Sequence, residues 1–240
     1  MIAGLSKAVS LYLAPALCLT AVILTLLSLL APSLILHDQV AFLTVVPSTA
    51  LQGPSSANVD GPTIYLGVIG SCARKNNAAE FNCTVPSVSP AYDVSILPNS
   101  APGQLLSVPP GSAVFIAFSV ACMIIFFVTF TLISFSHKMG GKASSMFNSS
   151  VLQRISAWIG FFGFLVGLTV FLIVRMWFGK AIQDFNASII QQGKNGPSLQ
   201  ASSGNAFTMV WVAYAFYAIP IVSSLAKLNV TPNSGKDGDA

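Results

Sequence analysis

Charge is what this sequence lacks. Only 8% of its 240 residues are Asp, Glu, Lys or Arg, against roughly 25% in a soluble globular domain. Because 54% of the residues are apolar, a water-soluble fold could not hide the apolar surface, and hydrocarbon is the natural solvent for most of the chain. The eleven basic residues give a formal net charge of +4 but are scattered between apolar runs, singly except for the adjacent Arg74 and Lys75. With no basic patch, nucleic-acid binding is set aside, and the isolated charges read as determinants of membrane orientation. Histidine is also scarce. His37 and His137 sit at the ends of apolar runs, where an interfacial role outweighs catalysis.

What is present is four uncharged runs, at residues 11–36, 112–135, 155–174 and 206–226. Each is long enough for a hydrocarbon core of about 30 Å, which takes roughly 20 helical residues. The first is too long for a signal-peptide core and carries Pro15 and Pro32, so it reads as an uncleaved span. Pumps, channels and intramembrane enzymes usually need ionisable groups at membrane depth. No Asp, Glu, Lys, Arg or His lies in the four runs, which disfavours a transporter or an enzyme, and no catalytic residue, cofactor or metal site is expected.

Residues 37–111 form the one sizeable loop, rich in Pro, Ser, Asn and Gly, with the short runs AFLTVV, TIYLGVIG, FNCTV and YDVSIL. Their length and β-branched content predict a small antiparallel sheet within this loop. Of the four cysteines, Cys18 and Cys122 lie inside apolar runs, whereas Cys72 and Cys83 lie in the polar loop. The loop pair reads as a structural disulfide on an oxidising, extracytoplasmic face. Its C-x10-C spacing does not match zinc sites built on C-x2-C units, and no His accompanies it in the sequence.

Lys7, Lys138, Lys142, Arg154, Lys227 and Lys236 fall on one side of the membrane in this reading, six basic residues against Arg175, Lys180 and Lys194 in the short loop opposite. That bias puts both termini in the cytosol, with residues 227–240 as a cytosolic tail. Trp177 and Trp211 suit an interfacial belt. The sequons at Asn82 and Asn186 would then be outside and open to glycosylation, and those at Asn148 and Asn229 inside and silent. In the third run Ser156, Gly160, Gly163 and Gly167 recur at helical spacing, a small-residue face that includes one GxxxG and predicts close helix packing. Packing within the monomer and self-association are both compatible with it.

Four spans, a large first outer loop, and Gly67, Cys72 and Cys83 in the order G-x4-C-x10-C resemble the claudin-type signature. The stretch ASSGNAFTMVWVAYAF at 201–216 resembles the corresponding stretch of the fungal SUR/PalI family of claudin-like plasma-membrane proteins. The likeness covers nearly the whole chain. Ile69 stands where claudins carry a Trp, so tight-junction-like strands are not implied. The resemblance implies an all-α transmembrane four-helix bundle with a small extracellular β-sheet in the first loop. It also implies a non-enzymatic glycoprotein of the fungal cell cortex that organises a membrane compartment, such as an eisosome, or supports cell-wall integrity. Its partners would be membrane lipids and other membrane proteins. The alternative is an accessory component of an ambient-pH signalling complex, a role that long cytosolic tails would favour.

Overall fold

A computed structural model describes residues 12–53, 59–103, 105, 108–109, 111–136, 147 and 149–230, with the backbone alone at 227, 229 and 230. The orientation-setting residues Lys7, Lys138, Lys142 and Lys236, and also His137 and Asn148, lie outside them. The first helix, α1 (Ala14–Leu30), has 17 residues. It stops short of the expected 36 because Pro32 disfavours a helical Ala31 and cannot itself donate a backbone bond; turns follow to residue 35.

Helix α2 (Ser112–Phe135) has the expected bounds. Helix α3 (Ser150–Gln192) does not: it runs 43 residues, a length of about 65 Å at 1.5 Å per residue, or twice the bilayer core. The helix contains the expected span 155–174 and continues beyond it. Beyond Arg175 the buried positions Phe178, Ala181, Phe185 and Ile189 prolong the stripe begun by Phe171 and Val174 at helical spacing, and the chain meets no proline before Pro197. A single exposed charge does not end a helix whose buried face continues. Helix α4 (Ala206–Val230) follows, with Pro220 inside it. Among the described residues three helices, α2, α3 and α4, are long and apolar enough to cross a membrane, and the molecule is a membrane protein on that ground.

Strands β1 (Leu43–Pro47), β2 (Thr63–Leu66), β3 (Ser71–Arg74), β4 (Asn82–Cys83) and β5 (Leu199–Ser203) form one antiparallel sheet in the order β4-β3-β2-β1-β5. The sheet is therefore not confined to the first loop. Strand β5 comes from the segment between α3 and α4 and pairs with all of β1, from Leu43 opposite Ser203 to Pro47 opposite Leu199. The run YDVSIL at 92–97 forms no strand. Asp93 accepts bonds from the Ser95 amide at 3.0 Å and its hydroxyl at 2.6 Å, and Leu97 N donates to Val94 O at 3.0 Å, so local turns outcompete the ladder.

The chain divides into two compact units, 1–23 with 118–166 and 212–240, and 24–117 with 167–211. The second holds the sheet, the extended half of α3 and the start of α4. In the first, residues of α2, α3 and α4 meet around Phe126, Gly160, Gly163, Tyr214 and Tyr217.

Candidate functional site

The residues that hold the sheet to the helices lie in the second unit. Residues 203–207, SGNAF, form a clamp on residues 39–42. Gly204 N donates to Phe42 O at 3.0 Å and Ala206 N to Ala41 O at 3.1 Å. The Asn205 side chain accepts from Ala41 N at 3.4 Å and donates to Gln39 O at 2.7 Å. Glycine is required at 204 by close approach: a Cβ there would stand 1.9 Å from Ala41 O. Inside the clamp, the fully buried Phe42 ring lies 4.8 Å from Phe207, 6.1 Å from Phe171 and 6.3 Å from Phe178, centroid to centroid. The Arg175 guanidinium covers the Phe207 ring at 4.8 Å and donates to the Ser203 hydroxyl. The charge that follows the third apolar run thus joins α3 to β5 and α4.

Farther along α3, the half-buried Asn186 donates from Nδ2 to Ala201 O and accepts at Oδ1 from Ala201 N, both at 2.9 Å. The amide mimics a neighbouring strand and occupies the β5 edge. This explains why the unpromising sequence LQASS is a strand. At the opposite edge Asn82 is exposed on β4.

Cys72 and Cys83 face each other across β3 and β4 with their sulfurs at disulfide distance, 1.97 Å. His37 stands beside them, its Nδ1 3.6 Å from Cys72 Sγ and 3.4 Å from Cys83 Sγ. The expectation that no histidine accompanies the pair holds in sequence and fails in space, because the turn after α1 brings His37 across 35 residues. Nδ1 donates to Pro32 O at 2.6 Å, which fixes the tautomer, and joined sulfurs offer no thiolate to a metal. The cluster is a structural junction in this state. Gly67 seats the signature on α1: its Cβ would lie 2.4 Å from Ala31 O and 2.5 Å from Pro32 Cδ. Tyr92 Oη donates to Gly67 O at 2.6 Å, and burial pushes that phenol above its ordinary range. The Ser95 hydroxyl and amide hold the Asp93 carboxyl below its ordinary value; what this adds to stability is present above that value and lost as pH falls through the lowered one.

In the first unit, Ser156, Gly160 and Gly163 lie against α2 of the same chain. Ser156 and Thr129 share a hydroxyl bond of 2.6 Å. A Cβ on Gly160 would lie 2.5 Å from the Phe126 ring, and one on Gly163 would lie 2.6 Å from Cys122 Cβ. The Ser119 hydroxyl bonds the Gly163 carbonyl at 2.7 Å and the Tyr214 hydroxyl at 3.1 Å, and Tyr217 Oη donates to Gly160 O at 3.4 Å. Gly167 is buried on the same face of α3. At Gly160 and Gly163 the face is occupied within the chain. Gly163→Leu is expected to cost about 1–3 kcal/mol by overpacking, whereas Leu165→Phe, at a 42% exposed position, is expected to be near neutral. Thermal unfolding in detergent separates the two, and equal melting temperatures would contradict the packing.

A comparison with protein-family models finds no match, and one with curated proteins finds none.

Proposed function

We propose that this chain is a non-enzymatic organising protein of the fungal plasma membrane. In this reading α1 and the apolar turn after it form a fourth span, both termini are cytosolic, and the sheet faces the cell wall. The SUR/PalI resemblance supplies the class. The observation that carries it is the investment of polar groups in fixing a platform: the SGNAF clamp and the Asn186 pair hold the sheet on the helices, and the Cys72–Cys83 bond ties β3 to β4 within it. A rigid platform on apolar helices suits lateral association with lipids and other membrane proteins. Imaging a tagged chain at the cell surface tests the reading. Stable cortical patches are expected; an even distribution, or recruitment only at alkaline pH together with a receptor, would replace it with the signalling role.

The same orientation exposes both outer sequons, but their settings differ. A glycan at Asn186 would forfeit its two bonds to Ala201, while Asn82 is exposed on the edge strand. Asn82 is the expected acceptor. Asn82→Gln should abolish an endoglycosidase-sensitive mobility shift and Asn186→Gln should leave it intact; the reverse pattern would refute the assignment.

A further inference from the structure

The two sulfurs of the Cys72–Cys83 bond are unequally placed for attack. Cys72 is 0% exposed, whereas Cys83 is half-buried on the edge strand β4. Successive residues of a strand point to opposite faces, so a glycan on Asn82 projects from the face opposite Cys83. A thiolate arriving from solution therefore reaches Cys83 Sγ more readily than Cys72 Sγ. Which sulfur is attacked decides which one departs, and here the departing group is Cys72.

Polar partners already surround that group. His37 Nδ1 lies 3.6 Å from Cys72 Sγ, and Pro32 O lies 3.3 Å from it. Nδ1 carries a proton, since it donates to Pro32 O at 2.6 Å. Beside a neutral disulfide the carbonyl is the better acceptor for this N–H. Beside a thiolate the preference changes, because a hydrogen bond to an ionised acceptor is roughly twice as strong as one between neutral groups. The backbone that carries the ring is fixed without the disulfide, by Gln39 N and Val40 N donating to Leu36 O.

We propose that this cluster is a thiol-exchange site, in which a small soluble thiol of the glutathione type modifies Cys83 and His37 stabilises the departing Cys72 thiolate. The incoming thiolate sulfur bonds to Cys83 Sγ as the Cys72–Cys83 bond breaks, and the electron pair of the broken bond leaves on Cys72 Sγ. One disulfide replaces another, with no net oxidation. The Nδ1–H of His37 bonds the new thiolate, which then takes a proton from water, and the resulting thiol has Pro32 O as its acceptor. The exchange acts on the sheet edge: β4 has only two residues, and once the bond is exchanged no covalent link joins it to β3.

The oxidised full chain in detergent, incubated with reduced glutathione at one fixed pH, acid-quenched at intervals and mapped by peptide mass, tests this. The adduct is expected on Cys83. His37→Ala is expected to slow its formation about tenfold, the low end for a hydrogen bond to a charged group. His37→Asn, whose amide N–H stands in for Nδ1–H, should recover part of the rate. The sign separates this from a purely structural role: if His37 only held the turn, its loss would loosen the pair and speed the exchange. An adduct on Cys72 of the wild-type chain, no adduct at all, or a rate in His37→Ala equal to or above that of wild type overturns the assignment.

Discussion

Phe42→Ala is expected to destabilise the protein by about 3–5 kcal/mol, the range for truncating a fully buried aromatic. The ring is 0% exposed and contacts three others, Phe171 and Phe178 on α3 and Phe207 on α4. Removing it leaves a cavity lined by rings that are themselves tied down: Phe207 lies under Arg175, and Phe178 lies on the helix that Asn186 holds to β5. Such surroundings relax poorly, which places the cost toward the upper end. Phe42→Leu should recover part of the loss by filling part of the space. Denaturant unfolding in detergent, followed by tyrosine and tryptophan fluorescence, measures both. A midpoint for Phe42→Ala equal to that of wild type would show that the cluster contributes little to stability.

The second large effect is expected from the smallest change, Gly204→Ala. One added methyl would stand 1.9 Å from Ala41 O and 2.6 Å from Ala41 C, and these are backbone atoms with no rotamer to escape into. The clamp must open, loosening the bonds from Gly204 N to Phe42 O and from Ala206 N to Ala41 O. A cost of about 3 kcal/mol is expected, at the upper end for overpacking because backbone has to move. Hydrogen exchange at residues 39–47 and 199–206 should accelerate by more than it does elsewhere. The control is Gly103→Ala, where an added Cβ meets nothing within 4 Å. Equal stability of the two variants would remove the close-approach explanation for the glycine of the GNAF stretch.

The three long apolar helices α2, α3 and α4 were legible because hydrocarbon imposes a one-dimensional test: enough consecutive apolar residues and few charges. The face of Ser156, Gly160, Gly163 and Gly167 was legible because side-chain direction on a helix repeats with spacing. Strands β1, β2 and β4 fall in the runs AFLTVV, TIYLGVIG and FNCTV, legible from β-branched content, whereas β3, SCAR, falls in none of them and pairs because β2 offers it a ladder; Cys72 and Cys83 were legible from their polar setting.

Four features were decided only in three dimensions. Strand β5 has the sequence LQASS with no β-branched residue, and is a strand because β1 offers it a ladder and Asn186 occupies its other edge. Helix α3 runs past Arg175 because the faces of Phe178, Phe185 and Ile189 find a core there. His37 reaches the cysteine pair only through the turn that ends α1. Gly204 is indispensable only because Ala41, 163 positions away along the chain, lies against it. In sequence alone, local periodicity and hydrophobicity determine which segments enter the membrane and which helix faces are apolar, because those depend on neighbours along the chain. The joining of sheet to helices depends on close approaches between distant segments, and such contacts exist only once the chain has folded.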